Sequence, residues 1–379
     1  MKIAHVTDFY LPRLGGIEMQ VADLAAHQQA QGHQVTIITS SPSGGHRDPV
    51  GGPRVLRVTD PLRRPRAIHP QAPFLGAAAL LAGDFDVVHV HVGVGSPLAF
   101  WAARTAARRG IPTVITVHSL WAWVYPLFKT FDLVGGFSRR PIRWTAVSEA
   151  AARPVRRILA APARVTVLPN GIDPQDWRVD RVPRADDDEL LLVAVMRLAP
   201  RKRPLHLVRM LRATRERTPA GTRLRAVIVG DGPERPTLER YLRRHGMTGW
   251  VSLPGRQTRE QIRELYRRAD VFVAPADLES FGIAALEARC AGVAVVAKAQ
   301  TGIAEFIQDE IDGLLVATDA DLVEALVRLA TDPGLRTKLA AAAQTSVTWA
   351  ATLVLTEQAY AEAAVLAGRR PTERVGPGR

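Results

Sequence analysis

Val271-Phe272-Val273-Ala274-Pro275, then Ala276-Asp277-Leu278, then Glu279-Ser280-Phe281-Gly282-Ile283-Ala284-Ala285-Leu286-Glu287 joins an apolar strand to an apolar helix through a polar loop. The first five residues are short, apolar and closed by proline, which predicts a buried strand. A loop that passes into a helix leaves the first backbone N–H groups unpaired, here about Phe281 to Ile283, and such amides form a seat for phosphate. Glu279, before that seat, is placed to hold sugar hydroxyls. Glu287, two turns inside, reaches only what lies beside the phosphates, such as a ribose. The competing reading makes Glu279 a capping or loop acid and Glu287 a surface helix residue, since acids are common near helix starts.

The same strand, loop and helix unit recurs on either side. Leu190 to Val195, Arg225 to Val229, Val251 to Leu253, Val293 to Ala297 and Gly313 to Val316 supply further strands. Toward the N-terminus, Lys2 to Thr7, Val35 to Thr39, Val55 to Val58, Val87 to Val92, Thr113 to Val117 and Thr145 to Val147 form an earlier set. Strands alternating with helices predict parallel sheets covered on both faces. Val165 to Leu168 with Pro169-Asn170-Gly171-Ile172-Asp173 closes the first set, and Arg178 to Glu189 reads as a linker. The expected fold class is α/β, with two Rossmann-like doubly wound parallel-sheet domains facing across a cleft. Their expected limits are 1–172 and 173–350, followed by a helix at 351–368 crossing back to the first domain and a loose tail at 369–379. Within Ser346 to Gly368 the pattern is helical, and Pro, Gly and Arg mark the tail. In such sheets ligands lie beyond the carboxyl ends of the strands.

Bulk properties agree. A chain of 379 residues exceeds one ordinary core. Its 47% hydrophobic and 23% charged residues exclude a disordered or fibrous protein. Cys290 is the only cysteine, which rules out an internal disulfide and a cysteine-built zinc site and suits a reducing cytosol. No apolar run approaches the roughly 18 residues of a membrane span, and Met1-Lys2-Ile3 enters a strand pattern without a signal peptide. The expected location is cytoplasmic, with peripheral contact at the inner membrane face as an extension. Basic residues outnumber acidic ones by 19 to 9 up to Ile172 but only by 31 to 28 after it. An anionic membrane surface would suit that basic first lobe, a solvated face without a partner is the other reading, and no nucleic-acid motif accompanies the charge.

Two further loops join the first. Ala194-Val195-Met196-Arg197-Leu198-Ala199-Pro200-Arg201-Lys202 follows a strand and carries cations five residues apart, able to meet one pyrophosphate and neutralise a leaving diphosphate, a job often given to a metal. Arg201 and Arg203 read as solvated. Gly15-Gly16 lets the backbone approach a phosphate.

Some features mislead. Gly93-Val94-Gly95-Ser96-Pro97-Leu98 lacks the third glycine of a dinucleotide fingerprint, and no acid follows at the right distance. Asp84-Phe85-Asp86 stands before its strand and reads as a surface loop. His89 and His91 share a strand face without a nearby third ligand, so packed or hydrogen-bonded histidines are expected, and His5 is taken as structural. The aromatic run from His118 to Lys129 suits either a lipid or aromatic acceptor or core packing. If it faces outward together with Arg139-Arg140-Pro141-Ile142-Arg143, a membrane-surface acceptor gains weight.

Taken in order, Gly15-Gly16-Ile17-Glu18, Thr116-Val117-His118, Val147-Ser148-Glu149, Pro169 to Asp173, Arg197 with Lys202, Gly230-Asp231-Gly232-Pro233, and Glu279 with Glu287 resemble the retaining family 4 glycosyltransferases of GT-B fold. The likeness runs from Ile3 to about Ala350. It implies that the Gly16 amide meets the donor phosphate, with Gly15 beside it, and that His118 lies beside the transferred sugar. Arg197 and Lys202 would bind the pyrophosphate, and Glu279 the sugar hydroxyls. The amides of Phe281, Gly282 and Ile283 would lie near phosphate and sugar, with Glu287 on the ribose. Gly232 and the turn at Gly255-Arg256 would border the nucleoside. Ala299-Gln300-Thr301-Gly302-Ile303-Ala304-Glu305 departs from the paired glycines of many relatives.

The implied reaction moves a hexosyl group from a UDP- or GDP-linked donor to the hydroxyl of a lipid-linked, polysaccharide or small-molecule acceptor. Attack comes from the face the diphosphate leaves, a donor phosphate oxygen takes the proton, and neither metal nor cofactor is required. Acceptor recognition falls to the loops around Gly44 to Pro73 and Leu120 to Phe137. A noncatalytic sugar-nucleotide-binding protein is the alternative, against which the joint presence of Arg197, Lys202 and Glu279 speaks.

Overall fold

The computed structural model describes residues 1–13, 15–45, 48, 51–59, 70–160, 163–182, 189–341 and 345–369. Parts of the expected linker, of the Gly44 to Pro73 loop and of the C-terminal tail lie outside these residues. The chain forms two compact units, one from Met1 to Gly171 joined by the chain from Trp349, the other from Ile172 to Thr348.

In the first unit β1 (Lys2–Thr7), α1 (Gly16–Ala30), β2 (Gln34–Thr39), β3 (Arg54–Arg57), α2 (Ala72–Ala82), β4 (Val87–Val92) and α3 (Pro97–Arg108) lead to β5 (Thr113–Val117). α4 (Tyr125–Gly135), β6 (Ile142–Ala146), α5 (Glu149–Ile158) and β7 (Val165–Val167) follow. The sheet has seven parallel strands in the order β3-β2-β1-β4-β5-β6-β7. Every residue of β4, β5 and β6 is buried, as a sheet covered on both faces requires. Strand order reverses between β1 and β4, which gathers the loops after β1, β4 and β5 at one edge.

Within this sheet β6 begins at Ile142, three residues ahead of the expected Thr145 start. The disguise is Arg143, whose polarity breaks the apolar pattern. Its buried guanidinium donates to Thr166 Oγ1 at 2.9 Å and pairs with Glu362. Arg143 is therefore buried while Arg139 is exposed, so the condition that the basic segment face outward as a whole is not met.

The second unit runs α6 (Pro174–Trp177), β8 (Leu190–Val195), α7 (Pro204–Arg217), β9 (Leu224–Val229), α8 (Arg235–Arg244), β10 (Val251–Gly255) and α9 (Arg259–Tyr266). β11 (Val271–Ala274), α10 (Ile283–Cys290), β12 (Ala294–Lys298), β13 (Leu314–Val316), α11 (Asp319–Thr331) and α12 (Pro333–Ala341) complete it. Its six parallel strands lie in the order β10-β9-β8-β11-β12-β13, with the reversal between β8 and β11. Leu192, Ile228, Val273 and Val296 from the strands pack with Leu207, Leu211, Leu322 and Leu326 from the helices.

The last helix, α13 (Trp349–Leu366), packs in the first unit. Thr352, Thr356, Ala359, Tyr360 and Ala363 recur three or four residues apart and form its buried stripe. Ala359, Tyr360 and Ala363 share a core with Ile3, Val21, Val87 and Val114. Small side chains on the stripe let the helix lie close to the sheet.

Candidate functional site

In the second unit the loop after β8 is held backbone to backbone against the loop after β9. Leu198 N–H donates to Asp231 O at 3.0 Å, and a Cβ on Gly232 would stand 2.3 Å from Leu198 O. Glycine at 232 is thus demanded by the fold itself. Arg197 is exposed, and Pro200–Lys202 makes one 3-10 turn that ends on Arg203 at φ 56°, in the left-handed region.

Arg203 corrects its expected solvated role. Its guanidinium fork donates to both carboxylate oxygens of Asp319, at 2.9 and 2.7 Å, and to the Pro275 carbonyl at 3.1 Å. It also lies 3.1 Å from a carboxylate oxygen of Asp277, and the buried Lys298 ammonium reaches Asp319 at 2.8 Å. The Arg203 hydrogen bonds, with help from Lys298, hold the Asp319 carboxyl down at about 2. Arg201 is exposed. Tied down in this way, the turn delivers the Lys202 ammonium onto the Glu279 carboxylate. Sequence reasoning gave these two residues separate duties, and the structure joins them directly.

Glu279 stands beside the start of α10. A Cβ on Gly282 would lie 3.4 Å from Glu279 Cγ, and Gly282 takes φ +91°, a conformation that favours glycine. Helical bonding begins with Ala285 N–H donating to Gly282 O at 2.9 Å, so the amides of Phe281, Gly282 and Ile283 come before the first helical bond. Phe281 is buried and its ring meets Phe306 at 5.5 Å. The loop from Ala299 to Glu305 closes on this segment, with Gly302 N–H donating to Glu279 O at 3.0 Å. Glu287 is half-buried on α10, and its charge adds to burial in raising the Tyr266 phenol. Arg256 is exposed on the loop after β10. Every candidate of this unit thus sits in a loop at the carboxyl end of β8, β9, β10 or β11, or on the helix that β11 leads into.

In the first unit Gly15 and Gly16 open α1 for different reasons. A Cβ on Gly15 would stand 2.4 Å from Glu18 Oε2, since that buried carboxylate folds back toward Arg13, whose Nε is 2.9 Å away. A Cβ on Gly16 would meet nothing within 4 Å. His118 follows β5, its N–H donating to Val92 O at 2.9 Å. Burial pushes its imidazole down to about 3, so it is neutral near pH 7.

The expected lack of a third ligand beside His89 and His91 is corrected, for His5 joins them with ring nitrogens of all three within 4.8 Å. His5 Nδ1 and His91 Nε2 are 2.9 Å apart, a hydrogen-bond separation shorter than the roughly 3.4 Å between two nitrogens on a tetrahedral zinc. The cluster is hydrogen-bonded.

Other features settle simply. Asp8, buried and raised to about 6 by desolvation, accepts from Leu98 N–H and Ala99 N–H at 3.0 Å each. The α3 start after Gly93 and Gly95 therefore holds the protein's own carboxylate. Asp84 and Asp86 hold Lys2 at the surface. The aromatic run divides. Trp121 and Phe128 stack at 4.1 Å in the core, whereas Trp123 and Leu127, and beyond the run Leu133 and Val134, are 54, 66, 69 and 83% exposed. Among the described residues no helix is long and apolar enough to cross a membrane.

Comparison with known proteins covers most of the chain. Residues 175–346 match the family model described as Glycosyl transferases group 1, and residues 14–176 the one described as Glycosyltransferase Family 4. A D-inositol 3-phosphate glycosyltransferase of Actinosynnema mirum is 33% identical over 288 residues, 68% of this chain and 67% of that protein. A sucrose-phosphate synthase from Thermosynechococcus elongatus superposes with a TM-score of 0.76 at 20% identity, over 95% of this chain and 98% of its own. Anabaena HepE, solved in complex with UDP-glucose, gives 0.71 at 17% identity over 97% of each chain. The last two likenesses show the GT-B fold.

Proposed function

The chain belongs to the group 1 glycosyltransferases of family 4, and on that footing we propose that it transfers a hexosyl group from a UDP- or GDP-linked sugar to an acceptor hydroxyl with retention of configuration. The observation that carries this reading is the Lys202–Glu279 pair beside the opening of α10, where a cation, a carboxylate and helix-start amides converge. When the donor binds, Lys202 exchanges Glu279 for the diphosphate, and the released carboxylate takes the sugar hydroxyls. Arg197 shares the diphosphate charge. The amides of Phe281, Gly282 and Ile283 meet phosphate, Glu287 the ribose, and Gly232 with Arg256 border the nucleoside. Gly16 offers its amide to phosphate, where the open space at its Cα position leaves room for the ligand. His118 lies beside the sugar.

Departure of the diphosphate concentrates negative charge on its bridging oxygen. Arg197 and Lys202 stabilise that charge without a metal, and a donor phosphate oxygen takes the proton of the acceptor hydroxyl attacking from the same face. Retention then needs no side-chain nucleophile. The named activity of the Actinosynnema mirum relative makes a cyclitol phosphate the first acceptor to test, ahead of lipid-linked and polysaccharide acceptors. The outward apolar residues of the α4 region, together with Arg139, suit peripheral contact with an anionic membrane.

The test is a panel of UDP- and GDP-sugars screened by thermal shift, followed by NMR of the product made from the stabilising donor. The expected result is one preferred donor, stabilisation that grows with its concentration, and an unchanged anomeric configuration. Inverted product overturns same-face transfer. Stabilisation without turnover on any acceptor class overturns the enzyme reading in favour of a binding protein.

A further inference from the structure

Polar groups of the first unit form one continuous hydrogen-bond series, and its far end has a fixed direction. The Ile115 carbonyl oxygen is only an acceptor, so Thr145 Oγ1, 3.2 Å away, donates to it. A hydroxyl has one proton. Thr145 must therefore accept from Thr116 Oγ1 at 2.6 Å, and Thr116, having donated, accepts from His89 Nε2 at 2.7 Å. His89 thus carries its proton on Nε2, and its Nδ1 accepts from the Tyr360 hydroxyl at 3.0 Å. Tyr360 in turn accepts from the Gln28 side-chain amide at 3.0 Å.

That contact fixes the orientation of the Gln28 amide, with Oε1 facing His5. His5 Nε2 donates to it at 2.7 Å, leaving His5 Nδ1 to accept from His91 Nε2 at 2.9 Å. The same logic passes once more, from His91 Nδ1 to His118 Nε2 at 3.0 Å. We infer that His118 is held as the neutral Nε2–H tautomer, with Nδ1 as an acceptor, by a one-way hydrogen-bond series that starts at Ile115 O and runs through the Tyr360 hydroxyl of α13. His91, His5, Gln28 and Tyr360 are positioning residues for His118.

Each ring must be neutral for this to hold, since an imidazolium donates from both nitrogens. Burial supplies that condition by pushing all four imidazoles below their ordinary value. Register explains the alignment. His5 pairs with His89, His91 with Thr116, and Thr116 with Thr145 across adjacent parallel strands, which puts their side chains on one sheet face. The His118 ring proton is then committed to His91 Nδ1 and is not offered to a sugar hydroxyl. This last consequence rests on the proposed place of His118 beside the sugar, whereas the tautomer does not.

The test is 15N-resolved NMR of the histidine rings in the full-length protein, in Tyr360→Phe and in Thr145→Val, with kcat and KM for transfer measured alongside. In the wild type His5, His91 and His118 are each expected to show a protonated Nε2 and a bare Nδ1. Tyr360→Phe releases the Gln28 amide to turn over, and the three rings then populate the opposite tautomer. Thr145→Val, nearly equal in volume, frees the same choice by removing the anchor and serves if Tyr360→Phe does not fold. A wild-type His118 protonated on Nδ1, or tautomers unmoved in the folded variants, overturns the inference. Shifted tautomers with unchanged transfer uphold the series and overturn only the placement of His118 at the sugar. Shifted tautomers with a several-fold fall in kcat/KM uphold both.

Discussion

Two clusters of polar groups, one in each unit, are managed in opposite ways. In the first unit four histidines, Gln28, Thr116, Thr145 and Tyr360 are almost wholly buried, and their hydrogen bonds run between neutral partners. In the second unit Lys202, Glu279, Arg203, Asp277 and Asp319 are ionic and keep part of their surface in solvent, with Lys298 the buried exception. Desolvating a charge costs several kcal/mol, so a fully buried strip is stable only when its groups shed charge and satisfy one another. At a half-exposed rim charges persist, and there they are available to an anionic ligand. The protein thus separates a neutral region that sets hydrogen-bond direction from a charged region suited to a diphosphate.

The largest expected effect breaks the neutral region. The four imidazoles are depressed on folding, so the unfolded state binds protons first. The stability they give is present above about pH 6.5 and is lost as pH falls toward the folded values of about 4 for His5 and about 3 for His118. Asp8 acts oppositely between about 4 and 6, because its folded value is raised. The balance is a loss on the order of 5 kcal/mol between pH 7 and pH 5. Urea unfolding at both pH values checks this, and equal midpoints would show that the histidines are not buried neutral.

Removing the central cation sharpens the contrast. Lys202→Ala is expected to cost about 2 to 4 kcal/mol of transition-state stabilisation in kcat/KM. Because the Lys202 and Glu279 side chains remain 33 and 19% exposed, the unfolding free energy should move by less than about 1 kcal/mol. Steady-state kinetics beside chemical denaturation separates the two, and wild-type turnover would remove Lys202 from the reaction. The smallest effect comes from Arg203→Ala, which loses the two-pronged bond to Asp319 and is expected to lower stability by about 1 to 2 kcal/mol. Its transfer activity should also fall several-fold through a misplaced Lys202, while an Arg203→Lys variant recovers only part, since one ammonium does not reproduce the fork. A full loss of folding in Arg203→Ala would instead make this ion pair as critical as the buried strip.

Legibility in the sequence followed the kind of interaction. The strands Val87–Val92, Thr113–Val117, Leu190–Val195 and Val271–Ala274 have the limits that their apolar runs indicate, because burial on both faces writes itself into consecutive residues. The strand at Ile142 was hidden by Arg143, whose charge is compensated by Glu362 far along the chain. The glycine at 282 and the helix after it were readable from local chemistry. Arg203 was misread because its partners Asp277 and Asp319 are distant in sequence, and a lone arginine in a loop has the pattern of a solvated one.

Sequence alone determined the alternation of strands and helices, the two α/β units and the strand-to-helix junctions that carry Gly16, Arg197, Lys202 and Glu279, with Glu287 on the helix beyond, since each of these is set by neighbours within a few residues. Only the tertiary structure decided that His5 completes the pair His89 and His91, that Tyr360 of α13 bonds His89 across 271 positions, and that Lys202 rests on Glu279. The reason is physical: a side chain's hydrogen-bond role and its charge depend on which groups surround it once water is gone, and chain folding, rather than sequence spacing, chooses those groups.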